Sequence, residues 1–308
     1  MFGHRPDGKR VKNADPIVSF TPYLMPMRCD SQVFLSYDAD FLVLMEYAAR
    51  KSREGFKVTF MEILIAAFVR SIGEVPEANC FIMNKQLFAR KELSVSMTVL
   101  AKKSDGSPTE NLVKVCFDPT DTLYEVVARV QKAVEDAKNI AEGSDSSIRV
   151  AGKLLSIPGL TTLVVGLARF ADRYGILPRP VMDLLPFYSS LFITNLASIG
   201  LTKAYHHLYN WGDVSMFISM GNSRRTYVVD ASGKPHRKAT LPLGYVVDER
   251  VCAGAVYARL FAAFKKYLAN PSLLETPPEK VLFNEGVEIH MPKPEGVYVP
   301  AAAKNDGQ

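Results

Sequence analysis

The chain has 308 residues, with 37 Lys and Arg against 32 Asp and Glu, a formal charge of +5, and 48% apolar side chains. That balance excludes a disordered chain and supplies a core for one large domain or two small ones. The cations are dispersed rather than gathered in a stripe, which argues against a nucleic-acid partner and leaves anionic small molecules open.

Residues 1 to about 19 read as an irregular basic arm closed by Pro16. The arm lacks the apolar stretch of a secretory signal, so a cytoplasmic location is expected. Cys29, Cys80, Cys116 and Cys252 lie far apart without a CxxC pair, which predicts reduced, buried thiols and no metal site. Phe41, Leu44, Met45 and Ala48 share one face of a helix predicted over 38–50. Thr59 and Glu62 form a capping box for a second helix that ends near Gly73 and Pro76; it is apolar all round, so it should be buried. Strands are predicted over 81–88 and 93–101, with a polar turn at Asn84 and Lys85, and over 112–117. Leu123, Val126, Val127, Val130 and Val134 line one face of a helix over 121–137. Further strands follow at 191–195, 214–220, 225–230 and 238–247, the last two a hairpin around Ser232 and Gly233, before a closing helix over 255–268.

This order predicts an α/β layered domain whose mixed or mostly antiparallel sheet is flanked by helices. It lacks the βαβ alternation and glycine fingerprint of a dinucleotide fold. The division expected is an arm over 1–19, a domain over 20–276 and a Pro-rich tail over 277–308.

Three stretches, "EGFKVTFMEILIAAFVRSIGEVPEANCFI", "SLFITNLASIG" and "DERVCAGAVYARLF", follow one another in an informative order. Together they resemble the fold shared by chloramphenicol acetyltransferase and the catalytic domain of dihydrolipoyl acyltransferases from 2-oxoacid dehydrogenase complexes. The second is similar to that family's TFTISNLGxxG, and the third to its DHRxxDGxxxARF. The resemblance implies a chloramphenicol acetyltransferase-like fold and a homotrimer or higher assembly with active sites between subunits. It also implies a tunnel for a coenzyme A thioester as substrate, and no covalently bound cofactor.

Carried over residue by residue, the resemblance puts Glu249 where the family has its catalytic histidine and Ala253 where it has Asp or Asn. Thr194 takes the place of the hydroxyl that binds the oxyanion. Asn195, Ser198 and Gly254 fall at substrate-binding positions, Gly254 also reading as a helix-entry glycine where a side chain would crowd the turn. A carboxylate at about 4.3 lies some four units below a thiol at about 8.5, a mismatch worth on the order of 5–6 kcal/mol for a base. Glu249 thus reads either as a base raised by burial or as a solvated or Arg250-paired turn residue. His206 and His207 offer a replacement base and are expected to face opposite ways in an extended segment; packing is the alternative for both. Two functions follow: an acyltransferase with a non-standard base, or an inactive oligomeric scaffold.

Residues 151–190 form a helical insertion relative to the family pattern. Ser156 as N-cap, Pro158 in the first turn and Gly175 as a stop predict one helix over 157–174. With Arg169, Asp172 and Arg173 inside, it is too short and too charged to span a bilayer. Packing on a neighbouring subunit or over the tunnel mouth is expected, the alternative being a peripheral membrane contact through Arg169, Arg173 and Arg179.

Overall fold

The structure, a computed structural model, describes residues 5–102, 108–143 and 157–299. The N-terminal arm is not irregular: it contains strand β1 (Gly8–Arg10), paired with residues 88–90, and helix α1 (Pro16–Leu24). Charge misled the reading here, because Arg5 is buried, bonded to Asp7 and Asp172 at 2.7 Å each. Strand β2 (Gln32–Asp40) precedes helix α2 (Phe41–Arg53), which starts at Phe41 because Asp40 caps it, accepting from Leu42 N and Val43 N. Helix α3 (Phe60–Glu74) opens on the predicted capping box, with Thr59 N donating to Glu62 Oε2 at 2.7 Å, and is buried from Glu62 to Gly73. Strands β3 (Cys80–Met83) and β4 (Gln86–Arg90) form a hairpin about Asn84 and Lys85, whose positive φ of 48° and 62° splits the stretch expected as one strand.

There follow β5 (Leu93–Lys102), β6 (Pro108–Phe117) and α4 (Leu123–Gly143). Helices α5 (Leu160–Arg173) and α6 (Arg179–Leu184) lead to β7 (Leu191–Asn195) and β8 (Met216–Met220). The hairpin β9 (Arg224–Val229) and β10 (Pro235–Asp248) ends in helix α7 (Gly254–Ala269). The main sheet runs β2-β10-β8-β7-β5-β6, with β9 on the outer half of β10. It is mixed, as expected: β7 is parallel to β5 and β8, and the remaining pairs are antiparallel.

Helices α2, α3, α4 and α7 pack on one face of the sheet and on one another, burying Val95, Ile193, Ile218 and Tyr245 beneath them. The alternate residues Phe192, Phe217 and Val246 form a smaller cluster on the other face, closed by Leu208 and Val214. Residues of the tail bond back to the domain: Leu282 N donates to Gly73 O in α3 at 2.8 Å and Met291 N to Asp118 Oδ2 before α4 at 2.9 Å. Cys80 and Cys252 are buried, with burial pushing both thiols up to about 12, but Cys29 is exposed, contrary to expectation. It sits among polar groups, with Asn210 Nδ2 at 3.5 Å from its sulfur.

Ser156, expected as an N-cap, lies outside the described residues. Helix α5 begins at Leu160, three residues later than predicted, after Gly159 at a φ of 80°, and Gly175 at a φ of 70° ends it. Its inner residues Ala168 and Ala171 pack on Leu177, Met182 and Tyr188 of the same chain. Arg179 ion-pairs with Glu92 and Asp183 and so is not a free cation. Among the described residues no helix is long and apolar enough to cross a membrane.

Candidate active site

The turn after β10 is built on one carboxylate. Asp248 is fully buried and accepts from Arg250 N at 3.1 Å, Arg250 Nε at 2.8 Å and Ser31 Oγ at 2.8 Å through one oxygen. Its other oxygen accepts from Arg250 Nη2 at 2.7 Å and lies 3.5 Å from Arg28 Nε. Arg250 reaches on to the carbonyls of Met25 and Pro26, and Tyr257 donates its hydroxyl to Asp248 O at 2.8 Å. Removing such a carboxylate strands two buried guanidinium groups, which costs about 3–5 kcal/mol. The frame of the motif therefore holds the turn whatever side chain stands at 249.

Glu249 itself is exposed and held through its backbone, N donating to Ser31 O at 2.9 Å. Among the described residues its carboxylate makes no hydrogen bond or ion pair, and the Arg250 partner envisaged from sequence is bound to Asp248 instead. Ala253 stands at the N-cap of α7 and supplies no side-chain hydrogen bond. Gly254 has nothing within 4 Å of the place a Cβ would take, so a side chain would not crowd the turn as expected. Glu249 and Gly254 line a groove of about 570 Å³ between β2, β10 and α7, with Val33, Leu35, Tyr245 and Phe261 among its walls.

Thr194 lies elsewhere. It stands beside Ser219 in the parallel β7–β8 pair, and Ser219 stands beside Gly244 in β8–β10. Strand alternation puts all three on the face of Phe192, Phe217 and Val246, away from the helices. Thr194 is half-buried, and among the described residues its hydroxyl makes no hydrogen bond. An irregular segment presses on this face where glycine leaves room. A Cβ on Gly221 would meet Lys203 N at 2.3 Å, one on Gly244 would meet Ala204 O at 2.5 Å, and Ser219 Oγ donates to Ala204 O.

That segment delivers the histidines. His206 is half-buried and stacks on Phe217 with ring centroids 4.3 Å apart and planes 1° from parallel. Its Nδ1 faces His207 O at 3.3 Å, a contact that assigns the proton to Nδ1 and leaves the Nε2 lone pair free. Burial lowers the His206 pKa below its ordinary value, so the ring is neutral at pH 7. His207 is exposed and does not face away: the two rings lie 4.7 Å apart, because the segment pairs with no strand and the alternation of a strand is lost. Asn195 and Ser198 bond to each other's backbone around the short 3₁₀ turn Leu196–Ile199, Asn195 Oδ1 accepting from Ser198 N at 3.3 Å and Ser198 Oγ donating to Asn195 O at 2.6 Å.

Thr194 and His206 thus lie on one face of the sheet, and Glu249 stands apart from both. Phe217, under His206, is one strand across and two residues along from Thr194, about 8 Å by strand spacing. Glu249 is two strands across and five residues beyond Gly244, about 20 Å away in the same chain. Sequence reading missed Ser219 and Gly244, although the alternation in "SMFISMG" carried the signal.

Residues 188–276 match the model of the 2-oxoacid dehydrogenases acyltransferase catalytic domain. The cubic core of a pyruvate dehydrogenase multienzyme complex superposes with a TM-score of 0.54 at 16% identity, over 86% of this chain and 93% of that one. The fold is that of these acyltransferase cores. The Azotobacter vinelandii dihydrolipoamide acetyltransferase, whose catalytic mechanism has been probed at a serine, a histidine and an asparagine, gives 0.53 at 17% identity, over 86% and 94%. A truncated catalytic core of the 2-oxoacid dehydrogenase complex from Thermoplasma acidophilum gives 0.51 at 14%, over 85% and 99%. No curated protein matches the chain in sequence. The acyltransferase-domain match covers the stretches "FITNL" and "DERVCAG" and so the span of Thr194, both histidines, Glu249 and Gly254.

Proposed function

We propose that the protein transfers an acyl group from a CoA-type thioester to a hydroxyl or thiol acceptor. His206 Nε2 takes the acceptor's proton as its oxygen or sulfur attacks the thioester carbonyl. The carbonyl's π pair moves onto oxygen, where Thr194 Oγ1–H donates to the developing charge. Collapse of the tetrahedral intermediate expels the CoA thiolate, which receives the proton held by the His206 imidazolium. One observation supports this reading: a hydroxyl without a hydrogen bond among the described residues and an imidazole whose pKa burial lowers share one face of the sheet.

Glu249 is not the base in this scheme. It is exposed and about 20 Å from Thr194, so it reaches that hydroxyl only from a second copy of the chain. The likeness to cubic and truncated complex cores supports such self-association, a trimer or a multiple of it. A second reading, a catalytically silent scaffold, is supported by Glu249 and Ala253 standing in place of the family's histidine and Asp or Asn, while Asp248 and Arg250 keep the turn's shape.

An acyl-CoA transfer panel separates the two. The active reading predicts turnover in the wild type, a loss of about 100-fold or more in Thr194→Val, and Glu249→Gln within a few-fold of wild type. A silent wild type with activity gained in the double variant Glu249→His/Ala253→Asp would establish the scaffold instead.

A further inference from the structure

Between α1, the β3–β4 turn and α5 lies a cavity of about 470 Å³ that none of Thr194, His206 and Glu249 lines. Five cationic residues line it, Arg28, Lys85, Arg169, Arg173 and Arg250, against one carboxylate, Asp172. That carboxylate is already held by Arg5 at 2.7 Å, and Asp248 serves Arg28 and Arg250 at once. Arg173 donates to the neutral Asn84 at 3.1 Å, Lys85 Nζ sits 4.5 Å from the centre of the Tyr23 ring, and Arg169 has no acidic partner among the described residues. Positive charge is therefore in surplus around an open volume.

Burial adds a second indication. Arg28 is 5% exposed and its Nε lies 3.5 Å from Asp248 Oδ2 without a hydrogen bond, and Trp211 Nε1 beside the same cavity makes no hydrogen bond among the described residues. A buried guanidinium whose carboxylate partner is shared with Arg250 is only partly neutralised, and an anion in the cavity supplies the missing charge. On either side, α1 and α5 expose Ile17, Phe20, Leu24, Leu163, Leu167 and Phe170, each 59–77% accessible. Arginine forks match phosphate oxygens two at a time, and a volume of this size admits a phosphate with its attached group.

We propose that this cavity binds a phosphate group, carried either by a soluble phosphomonoester or by the headgroup of an anionic lipid. The apolar helix faces flanking the cavity are placed to rest on a bilayer in the second case. Helix α5, which supplies Arg169 and Arg173, then serves as one wall of a ligand site rather than as packing alone.

Trp211 is the chain's one tryptophan and lines the cavity, so its emission reports occupancy. The full chain is titrated with glycerol phosphate, with vesicles of phosphatidic acid in phosphatidylcholine, and with phosphatidylcholine vesicles alone. Saturable change is expected with at least one phosphate probe, weakened tenfold or more in Arg169→Glu/Arg173→Glu. Lys85→Glu, on a different element, should weaken it as well, which separates loss of charge from a local rearrangement of α5. A response to glycerol phosphate identifies a soluble ligand, and a response confined to phosphatidic acid vesicles identifies a lipid headgroup; both support the site. No saturable response to either phosphate probe, an equal response to phosphatidylcholine alone, or full affinity in the charge-reversed variants would overturn it.

Discussion

Ala253 opens α7 with its carbonyl accepting from Val256 N at 2.9 Å but without a side-chain acceptor for the helix's first N–H groups. Ala253→Asp should stabilise the fold by about 1 kcal/mol, read as a higher denaturation midpoint at unchanged slope. Asp213 sets a pH dependence of its own. It is buried against Arg90 Nη1 at 2.8 Å, but burial outweighs that pairing and pushes its carboxyl up to about 7. An unfolded carboxyl titrates near 3.9, so the folded chain binds the extra proton between about pH 4 and 7. Stability from this group is complete below that window and is lost as pH rises through 7. Asp7 acts oppositely: burial opposes it, yet Arg5 holds its carboxyl below the usual range, so its contribution is lost below about pH 4. Denaturant unfolding from pH 5 to 8 should show a decline that Asp213→Asn flattens. At this scale the candidate side chains were legible but not their settings: His206 could be named as a residue, whereas its seat on Phe217 and the carbonyl at its Nδ1 depend on a segment without periodicity.

Among the elements, those with a local signature were legible and those defined by distant partners were not. The Thr59–Glu62 box marked the start of α3, and the positive-φ pair Asn84 and Lys85 marked the β3–β4 turn. Strand β2 went unread although Val33, Leu35, Tyr37 and Ala39 alternate, because Phe34 breaks the polar face of the strand; it packs edge-on to Tyr205 instead. Strand β1 had no signal beyond charge, since an ion pair between Arg5 and Asp172, 167 residues on, helps to fix the arm. The same dependence on a distant partner governs the segment bearing His206. Gly244→Ala places a Cβ 2.5 Å from Ala204 O, which should cost about 1–3 kcal/mol and displace the segment. A melt should register the first effect, and a disproportionate fall in transfer rate the second.

For the whole molecule, three motifs in order and a layered pattern of elements were enough for the fold, because each motif occupies a separate part of one sheet and its covering helices. What the pattern does not encode is which face of that sheet each candidate residue occupies. Thr194 and His206 lie on the face away from the helices, while Glu249 lies beside α7, so the candidate residues of one chain fall into two separated groups. Sedimentation should accordingly give a trimer or a multiple of three; a monomer at working concentration would confine any chemistry to Thr194 and His206 alone.

The most direct measurement is the pH dependence of kcat/KM for transfer from a CoA thioester, in the wild type and in His206→Ala. The lowered pKa of His206 predicts a rate that climbs through a midpoint below 6.5 and then levels, with that limb absent and the rate down by about 100-fold or more in the variant. A wild type without turnover at any pH, or a His206→Ala variant that keeps both the rate and the rising limb, would contradict the assignment of His206 as the base.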